Sequence, residues 1–159
     1  MQDTQGYSRL QIALHWAIAV LITLNYIISD GMGEVFDGSL EGHAVTGLTP
    51  TFHVWAGTAV LVLVLVRLVT RMVAGAPAPA NDTFLEKVAV WGHRALYALM
   101  LAVPALGAIT WFGGVEATAD LHVLVMNVLM LAALGHATMS LFHHFVLKDG
   151  LLNRMVRAR

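Results

Sequence analysis

Four stretches of this chain, residues 10–29, about 51–66, 95–115 and 121–147, contain no Asp, Glu, Lys or Arg. No other feature restricts the fold as strongly. A helix needs about 20 predominantly apolar residues to cross roughly 30 Å of hydrocarbon. The first, third and fourth stretches meet that length. The second is shorter, and Arg67 and Arg71 beyond it are expected to extend it by snorkelling towards headgroups. Composition agrees: 58% of the 159 residues are hydrophobic and 12% charged, against roughly 45–50% and about 25% in soluble domains. The first stretch carries His15 and Trp16 and ends in Asn25-Tyr26-Ile27-Ile28-Ser29 without a small-residue cleavage pattern, so it reads as a span rather than a leader. The expected fold is an all-α membrane protein, a four-transmembrane-helix antiparallel bundle forming one domain over residues 1–159.

Charge gives the orientation. The nine basic residues are Arg9, Arg67, Arg71, Lys87, Arg94, Lys148, Arg154, Arg157 and Arg159. With four spans, all nine fall on one side of the membrane. The other two loops hold Asp30, Glu34, Asp37, Glu41, Glu116 and Asp120 and no Lys or Arg. The positive-inside rule makes the basic side cytoplasmic, which puts both termini in the cytoplasm and the chain in a bacterial inner membrane as a multi-pass protein. Residues 75–82 form a Pro-rich cytoplasmic turn in which Asn81 or Asp82 is expected to cap the third helix. Residues 30–50 form the one outer loop long enough for structure of its own. Pro104 with Gly107 is expected to kink the third span.

The chemistry lies in the histidines. The chain has no cysteine, which excludes disulfides, iron–sulfur ligation, thiolate catalysis and covalent haem attachment. It has eight histidines, and His15, His53, His93, His122, His136, His143 and His144 lie in or beside the spans. Ionisable residues inside a membrane are costly and mark functional sites. Proton and cation pathways normally also use carboxylates, which these spans lack. Neutral imidazole is instead a natural axial ligand of haem iron. His122 and His136 are fourteen residues apart, a rise of roughly 21 Å with only about 40° of rotation, so one helix face can serve two centres at different depths. His53 stands at the outer level of His122, and His15 at the inner level of His136. Gly57 and Gly135 lie beside these positions, as clearance for a flat porphyrin or for ordinary helix packing.

The pattern resembles the bacterial cytochrome b561 family of small di-haem membrane cytochromes over nearly the whole chain. The resemblance is carried by Tyr7-Ser8-Arg9-Leu10 through His15-Trp16, by His53-Val54-Trp55-Ala56-Gly57 with Val66-Arg67-Leu68, and by Gly92-His93 with Pro104-Ala105-Leu106-Gly107. It continues in His122, Gly135-His136 and His143-His144-Phe145-Val146-Leu147-Lys148-Asp149. It implies two b-type haems with axial ligands His15, His53, His122 and His136, and electron transfer between an outer-face donor or acceptor and the quinone pool. Some members of the family oxidise superoxide. The segment between the third and fourth spans is shorter here than is usual for the family.

His143, on the inner end of the fourth span, is expected to contact a quinone carbonyl or simply to stabilise the helix terminus. His93 is a rival inner ligand, and Arg67 and Arg71 are candidates for pairing with haem propionates. Expected partners are membrane lipid, quinone and an unidentified outer donor or acceptor, with no nucleic acid. Two other readings compete: a membrane anchor or electron-transfer subunit for a soluble redox partner, and a haem-free metal transporter.

Overall fold

The computed structural model describes residues 6–75, 84–156 and 158. The expected caps Asn81 and Asp82, and the basic residues Arg157 and Arg159, lie outside the described residues. Five α-helices follow in order: α1 Arg9–Ile28, α2 Met32–Leu40, α3 Leu48–Ala74, α4 Phe84–Gly113 and α5 Ala119–Phe142. Four are long and apolar enough to cross a membrane: α1, α3, α4, and α5 with its flanking turns. Three of them run longer than their charge-free stretches, because a helix continues through the interface until a turn residue stops it, whereas α1 equals its stretch at 20 residues. Pro104 sits inside the continuous 30 residues of α4.

The starts of α1 and α2 have local causes. Ser8 caps α1 in a reciprocal box: its hydroxyl accepts the Gln11 N–H at 3.3 Å, and the Gln11 side chain accepts the Ser8 N–H at 3.0 Å. The Ser-Arg-Leu-Gln opening of the first span is therefore a helix start. Gly31, at φ +77°, turns the chain sharply into α2. That helix gives structure to the acidic loop, burying Phe36 and setting it 6.3 Å from the ring of Trp111.

The dense part of the bundle is one-sided. Ile18, Val60 and Val64 form its buried centre, with Leu21, Ile22, Leu63, Tyr97, Met100 and Leu101 packed around them. These residues come from α1, α3 and α4, and none comes from α5. Leu129 is the buried apolar residue that α5 contributes. Among the long helices α5 packs closely along α4, while α1 packs on α3 and α3 on α4. Large apolar side chains such as Val62, Val69, Leu131 and Leu134 are exposed, as they must be where the solvent is lipid. In that solvent helices gain little by hiding apolar area from one another, so close packing and interhelical hydrogen bonds of about 0.6 kcal/mol each fix their positions.

Several such bonds occur. Gln11 Nε2 donates to the Gly75 carbonyl at 3.0 Å, Asn25 Nδ2 to the His53 carbonyl at 3.3 Å, and the Tyr26 hydroxyl to Asn127 Oδ1 at 3.1 Å. Arg67 departs from expectation. It does not snorkel: it is 8% exposed and donates through Nη1 to the Gln11 carbonyl of α1. It therefore lies inside the bundle, one helical turn from the level of His15.

Candidate functional site

The histidines of α5 face those of α1 and α3 across the looser side of the bundle. At the acidic end, the His53 and His122 rings have centroids 6.0 Å apart and planes at 84°. At the basic end, the His15 and His136 rings are 6.4 Å apart at 76°. Both separations suit one metal ion between two imidazoles. A ring nitrogen bonds such an ion at about 2.0 Å and lies roughly 1.1 Å from its ring centre, so opposed ligands have centres about 6.2 Å apart. The angle between the planes is unconstrained, because each plane contains its own metal–nitrogen axis.

The structure also brings His93 of α4 to 5.1 Å from His136. That is about an ångström short of opposed ligation. Its Nδ1–H donates to the Ala89 carbonyl of its own helix at 2.6 Å. His15, His93 and His136 thus share the basic end, and the His15–His136 pair has the ligation spacing.

Local structure fixes His122. Its Nδ1 lies 2.9 Å from the Val103 carbonyl oxygen. A carbonyl can only accept, so Nδ1 carries the proton and Nε2 is left free for a metal. Gly107 makes this approach possible: a Cβ there would stand 3.0 Å from His122 Cε1 and 3.2 Å from Nδ1. The sequence places Gly107 only beside Pro104. Its contact with His122 depends on which helix packs against it. Gly57 faces Asn25 at an ordinary 3.7 Å, whereas at Gly135 an added Cβ would meet no protein atom within 4 Å.

The polar atoms also suit a bound group. His53 Nδ1 and Asn25 Oδ1 are buried with no hydrogen-bond partner among the described residues, a state that normally costs about 1–3 kcal/mol per group. Arg67 is a buried cation whose one bonded partner is a backbone carbonyl, and no carboxylate pairs with it among the described residues. It lines a cleft with Tyr7, Gln11, Arg71 and Tyr97, and the Arg71 guanidinium lies 5.9 Å from the Tyr97 ring centre.

Among the described residues no cluster of three or more His, Cys, Asp or Glu is arranged to hold a bare metal ion. Opposed histidine pairs suit a metal whose remaining ligands come from a planar macrocycle, and the residues present fit b-type haem.

His143 stands apart from both pairs. It begins a π-helical turn, His143–Leu147, that ends α5, and its Nδ1 donates to the Asp149 carboxylate. Among the described residues His144 has no such partner, and its ring packs against Phe145.

Comparison with known proteins follows this geometry. The profile of the prokaryotic cytochrome b561 family matches residues 6–158. Cytochrome b562 of Cereibacter sphaeroides is 47% identical over 159 residues, covering all of both chains. A probable superoxide oxidase, CybB, of Yersinia pestis is 28% identical, covering 94% of this chain and 95% of its own. Cytochrome b561 homolog 1 of Escherichia coli K12 is 28% identical, covering 96% and 98%. The alignment with the Yersinia protein spans 176 positions, more than this chain's 159 residues, so that relative carries residues with no counterpart here. No solved structure matches.

Proposed function

The chain belongs to the prokaryotic cytochrome b561 family, whose members are membrane electron-transfer proteins with b-type haem, and from that premise we propose that it carries two haems and links an outer electron donor to quinone. The observation that carries the two-haem reading is the pair of opposed histidines at each of two levels of one bundle. His53 and His122 hold the haem at the acidic end, and His15 and His136 the haem at the basic end. When bound, b-type haem supplies reversible one-electron transfer.

The chain's own residues do the rest. The Val103 carbonyl fixes the His122 tautomer, so that ring need not reorganise on binding. The Gly135 face of α5 lets a flat group approach. Arg67 supplies a buried positive charge for a propionate carboxylate, with Arg71 nearer the interface. His143 takes the quinone carbonyl. The positive-inside rule supports a cytoplasmic basic end, with quinone entering from the inner leaflet of a bacterial inner membrane.

The acidic end bears on the donor. Asp30, Glu34, Asp37, Glu41, Glu116 and Asp120 are all exposed there, in loops that contain no Lys or Arg. Such a face repels a small anion and attracts a basic protein. It favours a second role, as the membrane electron-transfer partner of a soluble basic redox protein, over superoxide oxidation. Raising ionic strength screens either interaction. A protein donor is therefore expected to slow with salt, and superoxide to speed up. Faster reduction by superoxide at low salt than at high salt would reverse this preference.

Haem content tests the main reading. Pyridine haemochrome analysis of the purified protein should give two b-type haems per chain, and His122→Ala and His136→Ala should each remove one. Two unchanged bis-histidine spectra in both variants would reject the ligand assignment.

A further inference from the structure

Beyond α5 the chain folds back under the basic end of the bundle. His143 and Asp149 are six residues apart, which on an uninterrupted α-helix puts them on different sides, about 9 Å apart along the axis. Two departures bring them together. The helix loosens into the π turn over His143–Leu147, and Lys148 takes φ +52°, ψ +33°. Side chains rarely adopt that left-handed conformation, and residues held in it cluster at functional sites, as do π turns. The result is a carboxylate fixed at both oxygens: Oδ2 accepts Nδ1–H of His143, and Oδ1 accepts the Leu151 N–H at 3.1 Å. A 3-10 turn, Leu152–Met155, follows, and its Met155 carbonyl accepts Trp16 Nε1–H at 2.9 Å. The strap thus closes onto α1 beside His15.

We propose that Asp149 is a positioning residue for quinone chemistry: it accepts Nδ1–H of His143 and stabilises the imidazolium, whose Nε2–H is then the proton donor to a quinone carbonyl oxygen. This deepens the reading above and rests on quinone meeting the chain at His143. Forming a quinol from a quinone adds two electrons and two protons. The electrons come from the chain's electron-transfer activity. One proton passes from His143 Nε2 to the nearer carbonyl oxygen, which gains an O–H bond as the N–H bond breaks. The imidazole keeps its Nδ1–H on Asp149 and regains the Nε2 proton from water, and the second carbonyl oxygen takes its proton from water. In quinol oxidation the same pair runs in reverse, with neutral Nε2 as the base.

The environment fits this role. The His143 and Asp149 side chains are 24% and 34% exposed, open enough to exchange protons with water yet fixed in orientation. Slight burial raises the Asp149 pKa, but the hydrogen bonds from His143 and the Leu151 N–H outweigh it and hold the carboxyl below its usual range. The carboxylate therefore stays charged at neutral pH, where it stabilises an imidazolium. A carboxylate that orients a histidine in this way sets which nitrogen is the donor, and its amide analogue turns the ring to the wrong tautomer.

The test uses the full-length, haem-loaded protein in detergent, reduced and then mixed with a short-chain ubiquinone analogue over a range of concentrations. Asp149→Asn should keep its haem content and an apparent KM within about threefold, while the limiting rate falls at least about tenfold, as expected for a disturbed general acid. Asp149→Glu should restore most of that rate, and the solvent deuterium effect on Asp149→Asn should rise. A limiting rate unchanged in Asp149→Asn but reduced in His143→Gln would overturn the role of Asp149 and leave the quinone site standing. Unchanged rates in both would remove the quinone site itself. Haem loss, or a KM that rises as much as the rate falls, would mark Asp149 as structural only and also overturn the proposal.

Discussion

Gly107→Val is the sharpest test of how the His53–His122 pair is built. A single Cβ at this position would already stand 3.0 Å from Cε1 and 3.2 Å from Nδ1 of His122, where comfortable carbon contacts are about 3.5–4.0 Å. Alanine therefore asks the imidazole to move by about half an ångström. Valine adds two more carbons in the same direction and raises the displacement to about 1 Å. The ring has little freedom to give way, because its Nδ1–H is tied to Val103 at 2.9 Å. Losing that bond costs about 0.5–1.5 kcal/mol, and overpacking of this kind typically costs about 1–3 kcal/mol more. A metal–nitrogen bond holds its length to about 0.2 Å, so a ring displaced this far would be a poor ligand for a haem held there. The expected result is one haem per chain in Gly107→Val, with the low-spin spectrum of the His15–His136 centre unchanged and a bundle that still folds but melts several degrees lower. Gly107→Ala should retain both haems with a perturbed outer spectrum. Haemochrome counting with low-temperature electron paramagnetic resonance distinguishes these outcomes. Two unperturbed bis-histidine signals in Gly107→Val would refute the claim that Gly107 sets the approach of His122.

Three further outcomes follow from the same geometry. Gly135→Ala introduces a Cβ that meets no protein atom within 4 Å, so packing alone predicts stabilisation of about 0.5–1 kcal/mol from helix propensity; a porphyrin on that face predicts a disturbed inner-haem spectrum instead, which the visible α-band reads. Replacing Arg67 by Met removes a buried charge; if no anion answers that charge the variant should be as stable or more stable, because an unpaired buried charge costs several kcal/mol to dehydrate, whereas if a haem propionate compensates it, a haem at the basic end should dissociate more readily and its midpoint potential should fall by roughly tens of millivolts, as redox titration will show. The depressed Asp149 pKa means that its contribution to strap stability is fully present above the ordinary carboxylate value of 3.8 and disappears as pH falls through the lower folded value. Hydrogen exchange at the Leu151 amide should accelerate over that acid window and should already be fast at neutral pH in Asp149→Ala.

The spans and the histidine pairs were legible because they depend on one-dimensional rules. A missing charge over twenty residues has few meanings in water or lipid, and fourteen residues of helix fix both rise and rotation. His53 with His122 and His15 with His136 follow from those two quantities, and the structure brings the rings of the two pairs to 6.0 and 6.4 Å, near perpendicular. Features that depend on which helix neighbours which were not legible. Gly107 looks like part of a proline kink until α5 is placed against α4. The 5.1 Å approach of His93 to His136 needs the same knowledge. The acidic loop announced only its length and charge. That Phe36 would be buried near Trp111 follows from the seating of α2 on the bundle. The Asp149–His143 contact was hidden most deeply, because it exists only through a backbone conformation that a lysine seldom adopts.

Arg67 shows how one misplaced side chain changes the chemistry inferred around it. At the end of a charge-free stretch an arginine is normally a boundary marker, its stem lying along the helix and its head in the headgroups. Here the guanidinium turns inward to the Gln11 carbonyl, at the level of the first turn of α1. The boundary of α3 then moves outward to Arg71, which faces Tyr97, and the 27 residues of α3 supply the length that the shorter apolar stretch lacked. A guanidinium at 8% exposure costs several kcal/mol to dehydrate unless an anion answers it, and one carbonyl dipole answers only part of that. The described residues of this chain supply no carboxylate for it. A propionate belonging to the group held by His15 and His136 would bring the missing charge to the same end of the same bundle. On the proposed reading the buried arginine and the histidine pair are two halves of one site, and the anion that Arg67 lacks is the one that the bound group would carry.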